Sequence, residues 1–127
     1  MAKVSISTED APKPVAAYQQ AVRKGNILQV AGQVGIDPKT GKPAGDTVAE
    51  QTAQLFDNLR AILGAAGASM DDVVMMRAYL TDGAHFAEFN EVYERQVSAP
   101  FPARTTVYVG LNPGLLVEID ALAVLDD

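Results

Sequence analysis

"TVAEQTAQLFDNLRAILGAA", Thr47 to Ala66, is the stretch on which the fold turns. Val48, Thr52, Leu55, Phe56, Leu59, Ile62, Leu63 and Ala66 recur at the 3.6-residue period and form one stripe, while Glu50, Asp57 and Arg60 fall away from it. Thr47 and Glu50 stand at the spacing of a capping box, and Gly67 is placed to stop the helix. The spacing predicts a helix with a single apolar face, and such a helix needs a surface to lie on.

Strand signals on both sides supply that surface. Towards the N-terminus, "VSI" (Val4 to Ile6) is a short β-prone run, and Pro12 and Pro14 then block regular structure. Gln20 to Lys24 and Ile27 to Ala31 read as two strands joined by Gly25-Asn26, a two-residue hairpin signal. Gly35 to Asp46 is turn chemistry throughout. Towards the C-terminus, "VVMMRAYL" (Val73 to Leu80) is a nearly continuous apolar run of strand length, as expected of a strand covered on both faces. Met75 and Met76 are read there as strand core. A second helix is expected over about His85 to Val97, with Phe86, Phe89, Tyr93 and Val97 inward, and Thr105 to Val109 and Val117 to Leu125 read as the last strands. Helices set singly between strands predict an α/β (α+β) sandwich: one mixed six-stranded sheet with two helices on one face. Residues 1–127 are expected to form a single domain. The other sheet face is then bare.

Composition narrows the functional classes. The chain is 48% hydrophobic and 20% charged, which suits a globular protein. Its net charge of −6 disfavours general binding to nucleic acid or anionic membranes. No apolar run approaches a membrane span and no export signal opens the sequence, so a cytoplasmic location is expected. Without cysteine there are no disulfides, thiolate nucleophiles or thiolate zinc sites. The one histidine, His85, lies in "TDGAHFAEF" with no carboxylate-histidine motif around it and reads as a solvated surface residue.

The last two strands mix charge with apolar bulk. Strict alternation puts Thr105, Val107 and Val109 on one face with Val117, Ile119, Ala121 and Ala123, a set suited to lie under the helices. Arg104, Thr106 and Tyr108 then point the other way with Glu118, Asp120, Leu122 and Val124. A solvated face would not need the Leu and Val, and a core would not accept the charges. A subunit interface containing a polar pocket satisfies both demands. In a simple hairpin Arg104 and Glu118 would be several residues out of register, and "GLNPGLL" is long enough to skip a strand instead. The arginine fork suits a small carboxylate ligand, and a nearby carboxylate with a raised pKa suits water activation.

Pro102-Ala103-Arg104-Thr105, Leu111-Asn112-Pro113 and Glu118-Ile119-Asp120 together resemble the C-terminal signature of the RidA family (YjgF, or L-PSP endoribonuclease-like). Similarity continues through "AAYQQAV", "VAGQVGIDPKTG", "AAGASMDDVV", "YLTD" and "FNEVYE". The resemblance implies a Bacillus chorismate mutase-like fold in a trimeric, barrel-like assembly with clefts between subunits. It implies hydrolytic deamination of reactive 2-imino acids (2-iminobutanoate and 2-iminopropanoate) to 2-oxo acids and ammonia, with no metal or cofactor. By position, Arg104 would clamp the substrate carboxylate and Glu118 would hold the attacking water. Tyr18, Gly32, Asn90 and Thr106 would line the site. The chain departs from the family pattern at Ala16-Ala17, where Gly-Pro is usual, at Ala31, where Ser is usual, and at Thr106, often Cys; Asn112 is an insertion. The rival readings are a non-catalytic trimer that binds 2-oxo acids and an endoribonuclease or translation inhibitor. The acidic balance and the lack of a basic stripe with stacking aromatics weigh against the latter.

Overall fold

The computed structural model describes residues 1–126; Asp127, expected with Asp126 in a solvated turn, lies outside the described residues. Eight strands and two α-helices follow in order. They are β1 (Val4–Ile6), β2 (Ala21–Lys24), β3 (Ile27–Val34), β4 (Ile36–Asp37), β5 (Lys42–Pro43), α1 (Val48–Ala65), β6 (Val73–Leu80), α2 (Phe86–Gln96), β7 (Ala103–Tyr108) and β8 (Val117–Val124). Strands β4 and β5 pair as a small separate hairpin; the other six form one mixed sheet in the order β1-β2-β3-β8-β6-β7.

Local chemistry accounts for the elements. Thr47 accepts from the Glu50 N–H and the Glu50 side chain accepts from the Thr47 N–H, so the expected capping box starts α1. Gly25 takes φ 62° between β2 and β3, the positive φ required at the first central position of the tight turn. β6 runs over the residues expected.

The β7–β8 connection does skip a strand: β6 lies between them, parallel to β7 and antiparallel to β8. β8 is thereby central, flanked by β3 and β6. Its Val117, Ile119, Ala121 and Ala123 are fully buried beneath the helices, together with Leu28, Val30, Met76, Ala78 and Leu80. Leu55, Phe56, Leu59, Ile62 and Leu63 of α1 and Phe89 of α2 close the core from above.

α2 is fastened to α1 at both ends. The Glu88 carboxylate accepts from the Ala49 N–H in the first turn of α1 (2.9 Å), and Arg60 donates to the Gln96 side-chain and backbone oxygens (2.7 and 2.9 Å). Within the chain β6 is covered on one face only, not on both as expected: Val74 is 47% exposed and Arg77 is also exposed. Ile27, Val107 and Val124 are likewise exposed on that open face. Among the described residues no helix is long and apolar enough to cross a membrane.

Candidate functional site

Three buried amides pin the backbone around a cavity beside β8, and Gln20 itself lines it. Gln20 donates to the carbonyls of Thr8, Ala11 and Pro12 and accepts from the Thr8 N–H, which straps the N-terminal segment across the sheet edge. Gln51 donates to the carbonyls of Gly45 and Gly114 and accepts from the Leu116 N–H. Asn58 donates to the carbonyls of Val34 and Ile36. Each amide satisfies backbone groups that the adjoining loops cannot pair for themselves. The result is a cavity of about 730 Å³.

Tyr18, Gly32 and Glu118 line this cavity. Glu118, on β8, is half-buried, and its pKa is raised above the usual carboxylate range, chiefly by burial and then by the negative charge of Asp120. Arg77 Nε and the Tyr79 hydroxyl each donate to the Asp120 carboxylate at 2.8 Å. Gly32 lies so close to Glu118 that a Cβ there would overlap the carboxylate. The Tyr18 hydroxyl accepts from the Val15 N–H at 3.4 Å.

Arg104, Asn90 and Thr106 come together elsewhere, beneath α2. Arg104 Nη1 donates to Asn90 Oδ1 at 2.8 Å. Its guanidinium carbon lies 4.5 Å from the Tyr93 ring centre, 5.7 Å from Phe89 and 5.8 Å from Phe86. Thr106 Oγ1 is buried without a hydrogen-bond partner among the described residues. Among the described residues the one salt bridge is Arg77–Asp120, so Arg104 is held by π-faces and a neutral amide. Among the described residues no carboxylate lies within salt-bridge distance of it.

The six expected site residues thus form two groups on opposite faces of the sheet, which corrects the facing read from alternation. Arg104 pairs with Met76, and Met76 with Ala121, all on the helix side. Glu118 pairs with Tyr79, and Tyr79 with Val107, on the open side. The face of β7 is set by its parallel register to β6; its own sequence, with threonine at both 105 and 106 and apolar bulk at both 107 and 108, carries no alternation to read.

Residues 8–125 match the family model described as endoribonuclease L-PSP. The chain belongs to the RidA family. A RutC family protein of Pyrococcus horikoshii is 46% identical over 95% of this chain and 97% of its own length. A Dermatophagoides farinae protein named 2-iminobutanoate/2-iminopropanoate deaminase is 35% identical over 95% of each chain. Among solved structures, RidA from Psychrobacter superposes with a TM-score of 0.92 at 41% identity, covering 96% of this chain and 99% of its own. E. coli TdcF with bound serine gives 0.90 at 34% identity, covering 97% and 99%. The family's mixed sheet carrying two helices is the fold expected from the sequence. Gln20, Gln51 and Asn58 were not among the expected site residues, although Gln51 and Asn58 occupy stripe positions of α1 where a polar residue signals a buried amide with fixed partners.

Proposed function

We propose that the protein hydrolyses 2-imino acids such as 2-iminobutanoate and 2-iminopropanoate to 2-oxo acids and ammonia, in sites assembled from two copies of the chain within a homotrimer. One observation carries the reading: Arg104 is held by a neutral amide and aromatic rings and has no salt-bridge partner among the described residues, which suits it to the carboxylate of a ligand. The deaminase name of the Dermatophagoides relative supplies the substrate class.

The two residue groups lie on opposite faces of one sheet, so the Arg104 group of one copy meets the Tyr18–Gly32–Glu118 group of another. The exposed apolar side chains of the open face favour such packing. In the joined site Arg104 holds the substrate carboxylate in a bidentate grip. Glu118 takes a proton from water as the oxygen bonds to the imine carbon and passes that proton to the imine nitrogen. The carbinolamine then collapses: the hydroxyl proton is transferred to the nitrogen, the C=O bond forms as the C–N bond breaks, and ammonia leaves. A carboxylate made more basic by burial is a better proton acceptor and can return the proton it takes, which this sequence requires.

The test is imine clearance. An amino-acid oxidase generates 2-iminopropanoate in the presence of semicarbazide, and adduct formation is followed with wild type and Arg104→Ala. Suppression by wild type, reduced roughly 100-fold in the variant, is expected from the loss of two charge-assisted hydrogen bonds. If wild type leaves adduct formation unchanged yet 2-oxobutanoate raises its melting temperature, the site binds without catalysing.

A further inference from the structure

We infer that Tyr93 is a positioning residue for Arg104, holding the guanidinium through the face of its ring. The inference deepens the proposed reading and rests on it. α2 presents Phe86, Phe89, Asn90 and Tyr93 at i, i+3, i+4 and i+7, the spacing that lines one helical face. That face forms a cradle with three aromatic rings and a single acceptor. Tyr93 makes the shortest ring contact, at 4.5 Å.

Its ring cannot turn away freely. Phe56 of α1 packs edge-on against it at 5.7 Å, and Phe89 lies at the same distance on α2. Burial pushes the Tyr93 pKa up, outweighing the opposing effect of Arg104, so the ring stays a neutral phenol rather than a phenolate. The hydroxyl is buried and has no hydrogen-bond partner among the described residues, so ring packing is what holds Tyr93 in place. A neutral aromatic holder has a consequence for ligand binding. An aspartate in its place would fix the guanidinium equally well but compete with the ligand's carboxylate. A π-face fixes the cation and leaves its in-plane donors available.

Three variants test this: Tyr93→Leu, Tyr93→Phe and Phe56→Leu. Tyr93→Leu is expected to weaken 2-oxobutanoate binding about tenfold, the scale of a desolvated cation–π contact. Its kcat for imine clearance is expected to fall less than its affinity. Tyr93→Phe keeps the ring and should restore binding to within about twofold. Phe56→Leu loosens the packing behind the Tyr93 ring and leaves the ring itself in place; it should lower the melting temperature and weaken binding less than Tyr93→Leu does. An independent readout needs no ligand: the Nε–H resonance of Arg104, assigned by its loss in Arg104→Lys, should be shifted by the ring in wild type and Tyr93→Phe and relax in Tyr93→Leu. Wild-type affinity in folded Tyr93→Leu, an unmoved resonance, or a Tyr93→Phe defect as large as that of Tyr93→Leu would overturn the assignment. If wild type neither binds 2-oxobutanoate nor clears imine while the resonance behaves as expected, the deaminase reading fails and Tyr93 still holds Arg104.

Discussion

A methyl group at position 32 would overlap the Glu118 carboxylate, and this crowding couples the placement of two residues distant in sequence. Gly32→Ala is expected to displace the carboxylate towards the cavity and lower kcat by about tenfold or more, since small misplacements of a reacting group are costly. Steady-state kinetics beside a melting curve would check it, and an unchanged kcat would contradict it. Glu118 itself makes a pH-dependent prediction. Its raised pKa means that the folded chain holds the proton more tightly than the unfolded chain does. Glu118 therefore contributes stability that is fully present below the usual carboxylate range and is lost as pH rises through the folded pKa. Glu118→Gln, neutral throughout, should melt close to wild type near about pH 4 and above it by about pH 8. A difference of the opposite sign would show that the carboxylate is stabilised rather than strained. Arg104 and Glu118 were legible as a pair through the family signature, but their facing was not. Register between strands places β7, and no residue within β7 reports that register.

At the scale of elements, α1 does more than cover the sheet. Gln51 and Asn58 reach from its buried face to the loops at 45, 114–116 and 34–36, so the helix also shapes the cavity. Gln51→Leu removes three hydrogen bonds and strands their backbone partners, and should lower stability by about 3 kcal/mol in urea unfolding. A loss below about 1 kcal/mol would mean that the loops hold themselves. The helix was readable because eight stripe residues and a capping box agree, and it spans the residues expected to within one position at each end. Its polar contribution was not readable. An amide in an apolar stripe announces burial, but its partners lie up to 65 residues away and only the fold brings them near. α2 has the same character: Phe89 and Tyr93 are buried as expected, while Phe86 remains partly exposed beside Arg104.

The whole molecule presents one covered face and one open face, and each carries half of the candidate chemistry. Pattern reading anticipated a bare face with charge and apolar bulk in it, which is what Val74, Ile27, Val107 and Val124 beside Arg77, Glu118 and Asp120 provide. Pattern reading could not divide the site, because it assigned Arg104 to the wrong side. With the correct facing, a single copy cannot bring Arg104 to Glu118 through the sheet, and association becomes a requirement of the proposed activity. Sedimentation should accordingly find a trimer at micromolar concentration, and an active monomer would exclude the shared site.

Subunit complementation tests this claim most directly. Arg104→Ala and Glu118→Gln chains are each expected to be inactive; unfolded together and refolded at equal amounts, they should regain imine clearance. About a quarter of the sites in a randomly mixed cyclic assembly would then combine an intact Arg104 with an intact Glu118 from the neighbouring copy. Recovery near a quarter of wild-type activity is the expected result. A mixture that forms mixed assemblies yet stays inactive would place both residues of each site in the same chain and contradict the account.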